Sequence, residues 1–306
     1  MPPEVRAEIW QICLGYLSLD KKSWGVQLRL KREEYVSLVL KWWPPPNSTD
    51  VGNAVGDKTQ LLKDKALYNL IVLDVLRTHP NDFCKLFEHP LVRLSLERIL
   101  YIWSKENEEI SYFQGLNDIV CPFLIVYLTS CFGAVNDRNH NFEHNLRMQN
   151  IEKYICAIEA DAYWSLQIIF KNLRSVVSFH SGYVHAEAMM TKFFLIMEQA
   201  DPKLVEHLRE IGIDFSHFSF RWLLCFMARE FTTKNLLHLW DSYLAFGEKG
   251  FGHFHAYVCA AMLCSLSGML QETKSMSKCL YILQKPPSAY WGEEDISSLI
   301  QKAILL

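Results

Sequence analysis

Apolar residues recur at helical spacing through most of the chain. Val92, Leu96, Ile99 and Trp103 repeat at four-three-four intervals, with Arg93, Glu97 and Arg98 on other faces. That pattern predicts an amphipathic helix with one buried stripe. Ile151, Tyr154, Ile155, Ile158 and Ala162 form a second such series, and Leu204, Val205, Leu208 and Ile211 a third. Strict apolar–polar alternation, the mark of a half-buried strand, is almost absent. Leu70-Ile71-Val72-Leu73 has a strand-like composition, but no partner strand is evident, so it reads as helix or turn. The pattern predicts an all-α fold with many helices of ordinary length.

Two stretches break the periodicity. Pro44-Pro45-Pro46-Asn47-Ser48-Thr49-Asp50 continues through Gly52 and Gly56 to Asp57. Prolines followed by small polar residues neither hold a helix nor bury much surface, so this reads as an exposed linker. Asn136 to Asn150 is strongly polar and lies between two periodic segments, which makes it the expected seam between two helical halves, about 1–145 and about 146–306. Ile119 to Val135 carries no charge and sits at the short end of the membrane-spanning range. Pro122, Thr129 and Ser130 within it favour a buried core helix, so no transmembrane segment is expected. No repeat of fixed period is present, which argues against a solenoid.

Half of the 306 residues are apolar, enough for a sizeable core, which places the chain among folded globular proteins. Net charge is −3, from 31 basic and 34 acidic residues. That balance gives no support for nucleic acid as a partner, because phosphate binding needs concentrated Lys and Arg. Cysteines number nine, none in a Cys-x-x-Cys pair, and most lie among apolar residues. They read as buried free thiols of a reducing compartment. Met1-Pro2-Pro3-Glu4 has neither the basic region nor the apolar run of a secretory leader.

Candidate chemistry is sparse. Arg77 is followed by Thr78-His79-Pro80, and a proline pushes its predecessor out of α geometry, so a helix should stop near Thr78 with Arg77 beside a loop. Asp74, three residues earlier, shares a face with Arg77 on a helical turn and could aim its guanidinium. Taken alone, the pair reads as an ordinary surface ion pair. Gln114 lies 37 residues after Arg77, between Phe113 and Gly115, at the entry of the apolar helix. Gly115 lets another backbone approach closely. Gln114, Asn117 and Asp118 read locally as helix-entry polar groups. His140-Asn141-Phe142-Glu143-His144 has the His-x-x-Glu-His order of inverted zinc peptidases, but it sits in the polar stretch and no third ligand is indicated. His253 and His255 read as core or turn residues. Gly247-Glu248-Lys249-Gly250-Phe251-Gly252 lacks the spacing of a phosphate loop, and no Gly-x-Ser-x-Gly elbow is present.

Taken in order, these segments resemble the TBC domain, the Rab GTPase-activating module. Its Ile-x-x-Asp-x-x-Arg signature is intact as Ile71, Asp74 and Arg77, and its Tyr-x-Gln signature as Tyr112 and Gln114. Pro3 to Trp10 is similar to the family's opening, and Glu159-Ala160-Asp161-Ala162-Tyr163-Trp164 to its Glu-Ala-Asp-aromatic segment. Phe220-Arg221-Trp222, Arg229-Glu230-Phe231 and Leu239-Trp240-Asp241 fit its third block, and Leu283 through Trp291 to Ala303 its ending. The resemblance covers essentially all of 1–306, read as a single TBC domain. Arg221, Trp222 and Trp240 still read as structural.

The resemblance implies a V-shaped pair of helical subdomains, both fingers in the first. It implies Arg77 as arginine finger and Gln114 as glutamine finger, with Asp74, Tyr112, Gly115, Asn117 and Asp118 shaping their setting. The implied partner is a GTP-bound Rab GTPase in the cytoplasm at endomembranes, Golgi or endosomal, with membrane association only through partners or flanking regions. GTP and Mg²⁺ would come with the partner, and the chain would hold no cofactor or metal of its own. It would be no stand-alone enzyme but an activator of another protein's active site. The alternative is a catalytically silent TBC-like scaffold that binds a Rab without accelerating hydrolysis. Against the commoner pattern of the family, Leu76 stands where related members often carry Pro, and the Pro44–Thr59 linker reads as specific to this chain.

Overall fold

The structure, a computed structural model, describes residues 1–45, 58–80, 83–132, 151–176 and 182–306, with the side chains of 175–176 and 182–185 left out. Among these residues every regular element is helical. Contacts group the chain into two units, residues 2–168, and residues 169–306 together with Met1.

In the first unit the helices are α1 (Pro3–Cys13), α2 (Trp24–Trp42), α3 (Lys58–Leu76), α4 (Cys84–Glu88), α5 (Pro90–Glu106) and α6 (Leu116–Phe132). Helix α7 (Ile151–Val176) begins here and continues into the second unit. The division therefore falls within α7, at Ile168/Ile169, rather than at the expected seam near 145; the polar stretch 136–150 lies outside the described residues. The physical reason is that the first half of α7 belongs to the first unit's polar core. Glu159 and Asp161 are buried carboxylates, 1% and 4% exposed. Glu159 takes the Arg98 fork at 2.8 and 2.6 Å and the Tyr35 hydroxyl at 2.7 Å. Asp161 takes the Arg32 fork at 3.0 and 2.7 Å and the Tyr16 hydroxyl at 2.8 Å. A buried carboxylate demands full pairing, so these two fasten α2, α5 and the turn after α1 to α7.

The predicted stripe of α5 is buried as read: Val92, Leu96, Ile99 and Trp103. His89 accepts from the Leu91 amide and Pro90 occupies the first position, so the start of α5 is capped and preset. Helix α3 packs on α5, and α1 on α6. The strand-like run 70–73 is helical within α3, which begins at Lys58, inside the stretch read as linker. Helix α6 is the expected core helix, with Ile119 to Leu128 buried. In α7, Tyr154 departs from the prediction and is exposed. Its ring instead packs edge-on against Phe132.

The second unit holds α8 (Gly182–Ala200), α9 (Pro202–Glu210), α10 (Ser219–Leu224), α11 (Thr233–Ala245), α12 (His255–Gln271), α13 (Met276–Gln284) and α14 (Glu293–Leu305). Helix α12 is central, packed by α8 and α14. With the π-turn Gly250–Phe254 before it, α12 is long and apolar enough to cross a membrane, yet Val258 to Leu263 are buried inside the unit. Trp222 and Trp240 are fully buried, and the Arg221 fork holds buried Glu230 at 2.6 and 2.8 Å. His255 is buried with its Nδ1 2.7 Å from the Tyr243 hydroxyl, whereas His253 lies at the surface beside Lys192. Leu204, Val205 and Leu208 are buried, but Ile211 only half so, because α9 ends before it. No disulfide joins any of the nine cysteines; Cys13, Cys131 and Cys156 are exposed, which departs from their reading as buried thiols. Their helices turn those positions outward.

Candidate functional site

Helix α3 ends one residue before Arg77. The Arg77 amide donates to the Asp74 carbonyl and the Thr78 amide to the Val75 carbonyl, both at 3.1 Å. These bonds span three residues, so the last turn tightens as the chain approaches Pro80. One face of this turn, Ile71, Asp74 and Val75, is buried. Arg77 leaves from the other side.

Asp74 is the hub. Its side chain is 4% exposed, while that of Arg77 is 66% exposed. One carboxylate oxygen accepts from Arg77 Nη2, and the other from the Tyr112 hydroxyl at 2.7 Å. Arg77 Nε also donates to the Leu73 carbonyl at 3.2 Å. With so much of the arginine in water, the pair contributes little to stability. Its effect is directional, since a carboxylate fixed by a buried phenol fixes the guanidinium over the end of α3. Burial, reinforced by Asp74, pushes the Tyr112 phenol far above its ordinary range. Tyr112 therefore remains a proton donor to Asp74 throughout the neutral range.

A second bridge runs beside the first. The Thr78 hydroxyl donates to the Asp74 carbonyl at 2.8 Å and accepts from Asn117 Nδ2 at 2.9 Å. Asn117 Oδ1 accepts from the Gly115 amide at 3.2 Å. Thr78 and Asn117 are both 2% exposed. Two chains of hydrogen bonds thus join the end of α3 to the turn before α6, one reaching Tyr112 and the other Gly115. Gln114 lies between those two residues.

The turn itself explains how Gln114 is displayed. Phe113 and Leu116 are buried on either side of it, and Gln114 is exposed. Gly115 has φ of 110°, a backbone region that side chains disfavour, so glycine is required there. The Leu116 amide closes onto the Phe113 carbonyl at 3.2 Å. Of the residues singled out from the sequence, Asp74, Arg77, Tyr112, Gly115 and Asn117 enter this network. Gln114 is carried at its exposed tip. Asp118 stands at its edge, 3.5 Å from Asn117 Nδ2.

Thr78 escaped the sequence reading, which used it only to mark the end of a helix. The available signal was a hydroxyl able to bond the carbonyl four residues back, at a helix end. Among the described residues no three His, Cys, Asp or Glu side chains are grouped to hold a metal ion. His140, Glu143 and His144 lie outside the described residues. The arrangement offers a permanent cation and a neutral amide that both donates and accepts, displayed from buried supports.

A family model of the Rab-GTPase-TBC domain matches residues 3–270. The chain is 32% identical over 314 residues to the GTPase-activating protein gyp1 of Schizosaccharomyces pombe, aligned over 100% of this chain and 55% of that protein. It is 29% identical to human TBC1 domain family member 22B, over 100% of this chain and 56% of that protein. It thus spans about half the length of these curated relatives. Among solved structures, the Ypt/Rab-GAP domain of Gyp1p matches with a TM-score of 0.84 and 26% identity, over 100% of this chain and 88% of that one. A Chlamydomonas flagellar RabGAP TBC domain matches at TM-score 0.63 and 18% identity, over 99% and 80%, a likeness of fold. With a family model spanning most of its length and a relative aligned from end to end, the chain belongs to the Rab-GTPase-TBC domain family.

Proposed function

We propose that this chain accelerates GTP hydrolysis by a GTP-bound Rab-family GTPase, with Arg77 and Gln114 inserted into the partner's active site. The observation that supports this reading is the double bridge between the two segments. Asp74–Tyr112 and Thr78–Asn117 hold the Arg77 and Gln114 turns together, while both functional side chains face solvent. Side chains that serve only the fold have no need of that combination. Similarity to the GTPase-activating protein gyp1 of Schizosaccharomyces pombe also supports it.

Hydrolysis of GTP needs positive charge on the γ-phosphoryl oxygens and an oriented water. A guanidinium stays charged and forks onto phosphate oxygens, which a lysine does not reproduce. An inserted arginine of this kind contributes about 10³–10⁵ in rate. The Gln114 amide accepts from the water and donates to phosphate at once, replacing the partner's own switch glutamine. Asp74 holds Arg77 against the end of α3 until the phosphate outcompetes it. Nucleotide and Mg²⁺ belong to the partner. We place that activity in the cytoplasm, at Rab-bearing endomembranes.

The test is single-turnover hydrolysis across a panel of GTP-loaded Rabs. Arg77→Ala and Gln114→Ala should each slow the stimulated reaction by orders of magnitude without unfolding the protein, and Arg77→Lys should rescue little. Undiminished stimulation by Arg77→Ala overturns the assignment. Tight Rab binding with no acceleration by the parent protein would instead establish a silent scaffold.

A further inference from the structure

Helix α3 carries leucines on the side turned away from its own core. Leu62, Leu70, Leu73 and Leu76 are 55%, 45%, 58% and 50% exposed, while Ile71 and Val75 are buried. At about 100° per residue, these four leucines and Arg77 fall within one arc of about 120°. Arg77 closes the end of this arc, its Nε on the Leu73 carbonyl and its Nη2 on Asp74. An amphipathic helix ordinarily turns its leucines inward; here several surface leucines form a row ending at the candidate arginine finger. Contiguous exposed apolar surface of this kind marks an interaction site.

We infer that the C-terminal half of this face, Leu70, Leu73 and Leu76, is docking ground for the GTPase, which meets it with an apolar patch bordering its bound nucleotide. The inference rests on the reading of Arg77 given above, and geometry carries it from there. A standard interface covers about 800 Å² of each partner, a disc roughly 30 Å across. At 1.5 Å rise per residue, Leu76 and Leu73 lie within about 6 Å of Arg77 along the axis and Leu70 within about 10 Å. A partner whose nucleotide meets Arg77 therefore covers them. Leu62 lies about 22 Å away, at or beyond the rim. The face should set which GTPase is accepted rather than how fast its nucleotide reacts, because leucine side chains place no charge on phosphate.

The experiment is a kinetic comparison using a Rab that responds to the parent protein, with Leu73→Asp, Leu70→Asp and Leu62→Asp. All three positions are exposed, and unchanged circular dichroism and melting would confirm folding. Leu70→Asp should raise KM at least tenfold with kcat within about twofold; Leu73→Asp should raise KM as much and also lower kcat, because its carboxylate lies one helical turn from Arg77. Leu62→Asp should change KM less than threefold. Unchanged KM in Leu73→Asp and Leu70→Asp, while Arg77→Ala still abolishes stimulation, overturns the docking inference and leaves the finger assignment standing. Failure of the parent protein to stimulate any Rab overturns both. Sedimentation velocity adds a further outcome: a parent dimer that Leu73→Asp dissociates, with KM unchanged, makes a second copy the occupant and overturns the GTPase as partner.

Discussion

Replacing Tyr112 by phenylalanine removes one oxygen atom and keeps the buried ring. That oxygen donates to Asp74 at 2.7 Å, and both side chains are buried. A hydrogen bond to a charged group contributes about 1.5–3 kcal/mol, and the carboxylate left behind is buried. Tyr112→Phe should therefore destabilise the protein by about 2 kcal/mol, roughly thirtyfold in the unfolding equilibrium. The second effect is positional. Asp74 would be held on one side only, so Arg77 loses its fixed direction, and a displacement of about 1 Å at a reacting group costs on the order of a hundredfold in rate. Urea denaturation reads the first effect. Amide exchange across residues 74–78 localises it, because two units need not unfold together. Single-turnover hydrolysis with a responsive Rab reads the second. A Tyr112→Phe protein as stable as the parent, or destabilised yet fully active, would refute the argument that this phenol orients Asp74 and, through it, Arg77.

Thr78→Val keeps the shape of the side chain but breaks both the bond to the Asp74 carbonyl and the one from Asn117. A loss of about 1–3 kcal/mol and a lower kcat should follow, with recovery in Thr78→Ser; a Thr78→Val protein as stable and active as the parent would refute the bridge. A Cβ at Gly250 would lie 1.8 Å from the Tyr243 carbonyl oxygen. Gly250→Ala should thus destabilise the second unit by about 3 kcal/mol or more, since backbone cannot move aside as a side chain can, and an unchanged denaturation midpoint would contradict it. Burial pushes the phenols of Tyr16, Tyr35, Tyr112, Tyr127 and Tyr243 well above their usual range, aided by Asp161 at Tyr16, Glu159 at Tyr35 and Asp74 at Tyr112. The folded state keeps protons that the unfolded chain releases above about pH 10, so their contribution is complete below that pH and is lost as pH rises beyond it. Denaturation midpoints measured from pH 8 to 11 should be level in this respect up to about 10 and then fall, less steeply in Tyr112→Phe.

Helix content was legible because burial stripes repeat with the helical period, as at Val92, Leu96, Ile99 and Trp103. Arg77 and Gln114 were legible only as members of ordered signatures; locally each was an unremarkable polar residue at the end or entry of a helix. The periodic pattern could mark Asp74 and Arg77 as neighbours, since three residues apart is a local relation. It could not show that Asp74 is buried, that Tyr112 supplies its other partner, or that Thr78 and Asn117 meet across 39 residues. Those facts depend on how α3 packs against the rest of its unit, and packing joins positions whose sequence distance carries no record of their contact. The leucine face of α3 shows the same limit from the other side. Sequence identified apolar residues; the fold decided which of them face water, because the buried side of the helix was already occupied by Ile71, Asp74 and Val75. The chain by itself determined the helices and the chemical groups available, since both follow from local spacing and residue type. Tertiary structure alone decided which groups are anchored and which are displayed, because exposure is a property of the packed molecule and not of any residue in it.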